Sequence, residues 1–303
     1  MISRPFSGNN LIKISKSSDK NGFKFIDNSG TKYFLWNGFE DTGFLAVFST
    51  RESGISSGAY RSLNLGFRVG DDEQSVRLNR TRLLSAVGVE PEDVVTATQM
   101  HDTNVLNAGS FRSNPGELNP DGSINLGTGD VIFCREPGVY AMMFYADCLP
   151  VVLIHPGKKN AMLLHAGRSG TYKRISTRAL GQFLERTGIL PNEVIVLLGP
   201  RIKECCYEVG RNIFESFRRR FGDIDGLCER EDSRFFLDIG KINKSLLISM
   251  GITKNNIYDI DLCTSCNSEL FFSQRRDKGV SGRQCVLMGF NKQPRRVDFE
   301  RGY

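Results

Sequence analysis

The stretch that decides the fold is YAMMFYADCLPVVLIHPGKKNAMLLHAGRSG, residues 140–170. It contains short runs rich in Val, Met and Leu, separated by Asp, Pro, Gly and Lys, at residues 140–145, 151–154 and 161–164. This pattern is typical of neighbouring buried strands. Asp147 and Cys148 follow the first run, and His165 follows the third. If the strands pair, the Cys148 thiol and the His165 imidazole meet at one edge of a sheet.

On either side of this stretch, periodic segments predict further strands and helices. Helices are predicted at residues 73–87, with Asp71 or Asp72 as the N-cap, and at 171–186, 211–221 and 240–250. Strands are predicted at residues 44–48, 94–99, 194–198, 257–260, 270–273 and 285–288. Residues 109–130, rich in Gly, Asn and Pro, predict a loop long enough to be a lid or flap. Because strands and helices interleave and hairpins are frequent, we expect an α+β protein with mixed β-sheets.

The length of 303 residues allows one large domain or two of ordinary size. Residues 1–42 are polar, with short alternating runs at 11–14, 23–26 and 33–36. These runs predict a small N-terminal extension that is partly β. We expect the main domain to span residues 43–303.

The composition, 40% hydrophobic and 24% charged residues, is that of a globular protein. The first 20 residues contain no apolar stretch of the kind found in signal peptides, so we expect a cytoplasmic protein. The longest apolar region, residues 139–154, is interrupted by Asp147 and Pro150. It falls short of the roughly 20 residues that a spanning helix needs, which predicts no membrane span.

The charged residues and the cysteines argue against two further classes, nucleic-acid-binding proteins and proteins built on a disulfide framework. The net charge is +6, and its densest basic run, residues 218–220, lies at the end of a predicted helix, where cations suit the helix dipole. No zinc-finger spacing or RNA-binding signature accompanies this run, so we expect no nucleic-acid partner. Eight cysteines scattered over a chain without a secretory signal favour thiols or metal ligands over a disulfide framework.

Two of the three histidines, His101 and His165, follow predicted strands. With Cys148 they form a set of two imidazoles and one thiolate, which suits a catalytic Zn²⁺ with a fourth position left open for water. Two alternatives stay open at this point. The three side chains could be buried strand-end residues without a ligand, or Cys148 could be a nucleophile with a histidine as its base.

The remaining motifs are weaker evidence for a binding site. Arg168 follows His165 in a glycine turn that leads into a predicted helix, where backbone N–H groups could hold an anion. Cys263 and Cys266 form a CxxC, and Cys205 and Cys206 are adjacent. A four-thiolate zinc site needs two well-spaced pairs, so we expect a structural or incidental role for these cysteines.

Many motifs, taken in order, resemble a known family. They are FSTRESGIS, SLNLGFRVGDD, NRTRLL, TQMHDTNV, DCLPVVL, HAGRSGT, GPRIKECCYEVG, LDI and CTSCNSELFFSQRRDKGVSGRQCVL. The family is that of the laccase-domain proteins, or multicopper polyphenol oxidoreductases, whose members are viewed as purine nucleoside phosphorylases and peptidoglycan-editing factors. The similarity covers roughly residues 44–290. One departure is HAGRSG, where Arg168 and Ser169 stand in a motif that is usually HAGWRG.

The resemblance implies a single layered α/β/β/α domain with a zinc held by His101, Cys148 and His165. It also implies cleavage of adenosine, inosine, guanosine or methylthioadenosine by phosphate, with adenosine deamination in addition. The expected partners are therefore purine nucleosides and phosphate, bound by a monomer or a small homo-oligomer. Within the matched motifs, Asp147 is the candidate proton carrier beside Cys148. The candidates for binding substrate and phosphate are Arg51, Asn64, Arg276 and Arg283.

Two other functions are compatible with the same motifs. The older family name implies copper-dependent oxidation of polyphenols, but three histidines are too few for the additional copper sites that reduce oxygen. A non-catalytic protein that captures a metabolite, or a cell-wall editing factor, could use the same pocket. Turnover of a nucleoside distinguishes these possibilities from the phosphorylase.

Overall fold

Two mixed β-sheets lie face to face in the computed structural model, which describes residues 19–20, 22–36, 38, 42–109 and 116–292. The strands are β1 (Asp19–Lys20), β2 (Phe23–Asn28), β3 (Thr31–Trp36), β4 (Phe44–Ser49), β5 (Val94–Thr98), β6 (Val105–Asn107), β7 (Glu117–Leu118), β8 (Ile124–Thr128), β9 (Val131–Cys134), β10 (Tyr140–Tyr145), β11 (Leu149–His155), β12 (Asn160–Ala166), β13 (Ile195–Leu198), β14 (Glu208–Val209), β15 (Leu227–Glu229), β16 (Phe235–Leu237), β17 (Ile257–Asp259) and β18 (Gln284–Phe290). The helices are α1 (Glu73–Val87), α2 (Arg168–Tyr172), α3 (Ile175–Thr187), α4 (Arg211–Phe221) and α5 (Ile239–Ser249).

The larger sheet has the order β1-β2-β3-β4-β18-β10-β5-β8-β7, and the second has the order β17-β13-β11-β12-β9-β6. Both are mixed, because β5 runs parallel to β10 and β8, while β13 runs parallel to β17 and β6 to β9. A small third sheet, β14-β16-β15, packs against α4 through an apolar cluster of its own.

The three apolar runs of the central stretch do not all lie in one sheet. The first is β10, which pairs with β18 and β5 in the larger sheet. The second and third are β11 and β12, which form an antiparallel hairpin in the second sheet, with Pro150 opposite His165. The chain therefore crosses from one sheet to the other at residues 146–148. Since Cys148 directly precedes β11, it lies at the same end of the hairpin as His165.

The layers follow from which side chains each sheet buries. Between the sheets, Met143 of β10 and Val152 and Leu163 of the hairpin belong to one cluster of fully buried side chains. The outer face of the larger sheet packs on α1, and the outer face of the second sheet packs on α3 and α5. This arrangement confirms the predicted α+β class and the α/β/β/α layers.

Local capping explains where the helices begin and end. The Asp72 side chain accepts a hydrogen bond from the Ser75 N–H and caps α1, whose bounds agree with the prediction for residues 73–87. The helix predicted at residues 171–186 is instead two helices, α2 and α3. Arg174, between them, has a φ of 61°, in the left-handed region that interrupts a helix.

The strand predicted at residues 270–273 is wrong. Phe271 and Phe272 are fully buried there, which explains the apolar pattern, but they lie in a turn region. The Gln284 side-chain amide accepts from the Phe272 N–H and donates to the Phe272 carbonyl. One side chain therefore satisfies the backbone groups that a neighbouring strand would otherwise pair with.

The β2–β3 hairpin and the glycine-rich region add strands to the larger sheet. The β2–β3 hairpin pairs with β4, so this part of the predicted N-terminal extension continues the sheet of the main domain. The boundary at residue 43 stays a prediction, and the run at residues 11–14 lies outside the described residues. The loop predicted at 109–130 contributes β7 and β8, while residues 110–115 lie outside the described part. None of the helices described here has the length and apolar character needed to cross a bilayer.

Candidate metal centre and substrate cavity

The end of the β11–β12 hairpin brings the predicted ligands together. His165, in β12, is buried, whereas Cys148 is partly buried and His101 lies at the surface of the turn that follows β5. The Cys148 sulfur is 3.9 Å from His101 Nε2, and the two imidazole rings have centroids 4.8 Å apart. One ligand atom from each of the three residues lies within 4.8 Å of the others. The three side chains can therefore share one metal ion, as the sequence predicted.

A buried carboxylate that the sequence analysis did not single out holds this arrangement. Asp130 Oδ1 accepts from the backbone N–H of His101 at 3.0 Å and contacts His165 Nδ1 at 2.8 Å. Asp130 Oδ2 accepts from the backbone N–H groups of Met100 and Asp102, at 3.0 and 2.8 Å. The carboxylate thus binds both ligand-bearing segments. Because it occupies His165 Nδ1, it leaves Nε2 of that ring available to a metal ion.

The charges of the site favour the thiolate form of Cys148, which is the form that binds metal ions. Removal from solvent raises the pKa of the Cys148 thiol, but the His165 imidazolium and a hydrogen bond with His101 outweigh this and lower the pKa to about 6. Burial lowers the pKa of His165, but the Cys148 thiolate and the Asp130 carboxylate outweigh this and raise it to about 9. Without a metal, the site therefore favours a thiolate–imidazolium pair near neutral pH, and a cation replaces the imidazolium proton.

Gly167 leaves room for the ligands. A Cβ atom at this position would lie 2.8 Å from the Cys148 sulfur and 2.8 Å from His101 Cδ2. Its φ of −79° and ψ of −176° are open to any residue, so close approach and not backbone strain requires glycine here. The backbone of residue 167 forms one side of the ligand cluster.

A cavity of about 550 Å³ opens beside this cluster, and Cys148, His101 and His165 are part of its wall. Its volume lies within the usual range for small-molecule sites. The cavity is strongly basic, because among the residues that the structure describes a single carboxylate, that of Asp147, lines it together with five arginines: Arg68, Arg80, Arg168, Arg275 and Arg283. Its aromatic lining comes from Phe67, Phe144 and Tyr207. The arrangement suits an anion together with a flat, partly apolar ring.

The other predicted site residues divide into two groups. Asp147 and Arg283 line the cavity. Arg51 and Arg276 do not. Arg51 donates to backbone carbonyls, including that of Arg61, whereas Arg276 donates to both oxygens of the Asp277 carboxylate and to the carbonyls of Thr264 and Phe271. Asn64 is fully buried and accepts hydrogen bonds from backbone N–H groups, including that of Arg283.

Several cavity residues were not proposed as substrate contacts from the sequence. Arg80 is buried in α1 and pairs with Asp121 at 3.0 Å, while Arg275 directly follows Gln274 in the SQRRD segment. Gln274 Oε1 is buried and has no hydrogen-bond partner within the described part of the chain, although its amide nitrogen donates to the Gly279 carbonyl. The adjacent arginines of the motif SQRRD indicate a functional segment, but the sequence does not reveal which of the two guanidinium groups lines the cavity.

Comparisons with known proteins agree with the fold. The family model described as "Multi-copper polyphenol oxidoreductase laccase" matches residues 45–291. Purine nucleoside phosphorylase YlmD of Geobacillus stearothermophilus is 32% identical over 249 residues, which are 82% of this chain and 90% of that protein. Adenosine deaminase RL5, from an unknown prokaryotic organism, is 29% identical over 80% of this chain and 92% of its own. The crystal structure of YlmD from Geobacillus stearothermophilus superimposes with a TM-score of 0.80 at 28% identity, covering 88% of this chain and 99% of that one.

Replacing Asp130 tests how the ligands are held. We expect Asp130→Asn to lower Zn²⁺ affinity about 10- to 100-fold, because the amide cannot accept from both ligand-bearing segments as the carboxylate does. Competition with a chromophoric chelator measures the affinity. Asp102→Asn is the control, since this exposed carboxylate pairs with Lys173. Equal affinities for the Asp130→Asn variant and the unmodified protein would remove Asp130 from this role.

Gly167→Ala tests the close approach at the ligands. The added methyl group would press on the Cys148 sulfur and the His101 ring, and overpacking of this kind costs about 1–3 kcal/mol. We therefore expect Zn²⁺ affinity to fall about 10- to 100-fold, with little change in the far-UV circular dichroism spectrum. Gly181→Ala in α3 is the matched control, because nothing lies within 4 Å of its Cβ position. Unchanged Zn²⁺ affinity in the Gly167 variant would contradict the geometry.

Proposed function

The chain belongs to the multi-copper polyphenol oxidoreductase laccase family, and from this premise we propose that it is a zinc-dependent purine nucleoside phosphorylase that also deaminates adenosine. The proposed substrates are adenosine, inosine, guanosine and methylthioadenosine, with phosphate as the second substrate. One observation carries the proposal. Two imidazoles and one thiolate that could bind a metal ion lie together in the wall of a cavity that is lined by arginines. The names of the relatives, a purine nucleoside phosphorylase and an adenosine deaminase, support it.

Zinc fits the donor set formed by His101, Cys148 and His165. Two imidazole nitrogens and one sulfur are ligands that Zn²⁺ prefers, and three protein ligands leave a fourth position open. When bound, the ion supplies Lewis acidity, which polarises a substrate atom and lowers the pKa of water. Asp130 contributes by fixing the His165 ring through its Nδ1. Deamination, which requires attack on the amino-bearing carbon of the purine, uses this chemistry most directly.

The arginines of the cavity are the proposed phosphate site. Arg283 is largely buried, and burial lowers the pKa of its guanidinium. Its Nη1 donates to the carbonyls of Ser281 and Gly282, which fix the direction of the group. Arg168, at the start of α2, and Arg275 line the same cavity. Fixed guanidinium groups can place phosphate against the anomeric carbon and stabilise charge that develops in the transition state.

The remaining walls suit a purine nucleoside. Phe144 and Tyr207 offer flat apolar surfaces for the base. The unpartnered Gln274 Oε1 is an acceptor that can receive a hydrogen bond from an amino or hydroxyl group. We propose Asp147 as the proton carrier beside Cys148. Its carboxylate is held in place by the Thr264 hydroxyl at 2.6 Å.

For the other residues predicted from the family motifs, we propose indirect support of the phosphate site. Asn64 Oδ1 accepts from the Arg283 N–H at 2.8 Å, so it positions the segment that carries Arg283. Arg276 Nη1 donates to the carbonyl of Thr264, the residue that holds Asp147. Arg51 stacks on Phe272, with its Cζ 4.5 Å from the ring centroid. Direct phosphate binding by these three groups is a separate prediction, which substitution can test.

Copper-dependent oxidation of polyphenols is the second candidate, and the description of the family favours it. Oxygen reduction by a laccase needs several copper ions with histidine-rich ligand sets. The chain has three histidines, and the third, His155, lies at the far end of β11 from Cys148. His155 Nδ1 accepts a hydrogen bond from the Lys158 N–H. The phosphorylase therefore accounts better for the ligands present.

A turnover assay tests the proposal. We expect the purified, zinc-loaded protein to convert adenosine and phosphate into adenine and ribose 1-phosphate, and to form inosine from adenosine, as followed by liquid chromatography. His165→Ala should abolish both reactions together with zinc binding at the site formed by His101, Cys148 and His165. Stoichiometric binding of adenosine without products would favour a binding protein, and copper-dependent oxidation of a phenol would favour the laccase. Deamination by a His165→Ala variant that has lost the metal ion of the cavity would contradict the role of the ligand set.

Substitution of Arg283 tests the phosphate site. A charge-assisted hydrogen bond contributes about 1.5–3 kcal/mol, so we expect Arg283→Met to raise the KM for phosphate about 10- to 100-fold. Arg51→Met is the comparison, because Arg51 lies outside the cavity lining and donates to the Arg61 carbonyl. We expect a smaller rise in its KM for phosphate, because the proposed support from Arg51 is indirect. The reverse pattern would move the phosphate site towards Arg51.

A further inference from the structure

A group of four cysteines lies outside the lining of the cavity. The sulfur atoms of Cys205, Cys206, Cys263 and Cys266 all lie within 4.8 Å of one another. The Cys266 sulfur is 3.4 Å from that of Cys205 and 3.3 Å from that of Cys206. Zn–S bonds of about 2.3 Å give a tetrahedron with S–S edges of about 3.8 Å. The cluster therefore has the size of a four-thiolate zinc site.

Two turns present these cysteines. In the first, the Lys203 carbonyl accepts from the N–H of Cys206 at 2.9 Å and from that of Tyr207 at 2.8 Å. In the second, the Cys263 carbonyl accepts from the N–H of Asn267 at 3.1 Å and from the Asn267 side chain at 2.8 Å. The tight first turn directs two adjacent cysteines towards the CxxC. The spacing in the sequence does not reveal this convergence, which brings the adjacent Cys205 and Cys206 next to Cys263 and Cys266.

A backbone bridge fastens the two turns to each other. The Arg201 N–H donates to the Leu262 carbonyl at 3.2 Å, and the Thr264 N–H donates to the Arg201 carbonyl at 3.0 Å. The Arg201 guanidinium also contacts Asp261, which precedes the CxxC, at 3.1 Å. The turns are therefore held in register by contacts that do not involve sulfur, so the cluster is preorganised.

We propose that Cys205, Cys206, Cys263 and Cys266 hold a structural Zn²⁺ ion, separate from the metal centre in the cavity. Four thiolates close the coordination sphere, so this ion has no open position for substrate. On binding, Zn²⁺ replaces the thiol protons, which pass to solvent, and no oxidant or reductant takes part.

The proposed ion would tie together two segments that support the cavity. From the first segment, the Ile202 N–H donates to the Asp147 carbonyl at 2.9 Å. From the second, the Thr264 hydroxyl donates to the Asp147 carboxylate at 2.6 Å. Asp147 directly precedes Cys148. The structural ion therefore stabilises the loop that presents the cavity thiolate, although it contacts no substrate.

Metal analysis of the full chain, purified under reducing conditions with Zn²⁺ present, tests the proposal. We expect two zinc ions per chain in the unmodified protein and one in Cys263→Ser. Cys228→Ser is the matched control, because Cys228 is a partly buried cysteine outside both ligand groups, and it should retain both ions. We also expect Cys263→Ser to lower the Tm by several degrees while the cavity keeps its metal.

His165→Ala gives a second measurement that does not alter the cysteine cluster. This variant should retain one zinc ion, and its cobalt-substituted form should show strong thiolate-to-cobalt charge-transfer absorption with the spectrum of a tetrahedral four-sulfur site. A metal-free His165→Ala variant would overturn the proposal. So would a disulfide within the cluster of the unmodified protein, detected by alkylation and mass spectrometry. Both readouts are independent of nucleoside turnover, so the structural ion and the proposed enzyme activity can fail separately.

Discussion

The buried Asp130 carboxylate is the interaction on which the site depends. It has no exposed side-chain surface, and it receives four contacts, from three backbone N–H groups of the turn that carries His101 and from the ring of His165. A buried carboxylate is costly unless such donors compensate for lost hydration. Burial raises its pKa, but the His165 contact and the N–H donors outweigh this and keep the pKa below its ordinary value. The charge that holds the ligand segments together is therefore present at neutral pH.

The position of the site follows from the crossing between sheets. The larger sheet supplies β5, which ends before His101, and β10, which ends before Asp147. The second sheet supplies the hairpin whose end places Cys148 beside His165. Ligands from two packed sheets thus converge where the chain passes from one to the other. Rigid packing on both sides fixes their separation, while the arginine-lined cavity stays open beside them.

Local sequence signals predicted a large part of this structure, and the failures have physical causes. Apolar runs and turn residues predicted the β11–β12 hairpin, and the Asp72 cap predicted α1. Position at strand ends predicted that the side chains of His101, Cys148 and His165 come together. Asp130, however, precedes β9 in a glycine-rich segment, and only long-range contacts reveal its partners. Likewise, the pairing of Cys206 with Cys266 depends on two turns that lie 60 residues apart in the chain.

The central claim is that folding brings His101, Cys148 and His165 to one metal ion. The most direct measurement is a crystal structure of the zinc-loaded chain with anomalous data collected on both sides of the zinc absorption edge. We predict an anomalous peak that marks one zinc ion bound by His101 Nε2, the Cys148 sulfur and His165 Nε2. The expected Zn–N distances are about 2.0–2.1 Å, and the expected Zn–S distance is about 2.3 Å. A zinc-loaded crystal with no peak at this position, or with a peak that His101 does not reach, would contradict the account.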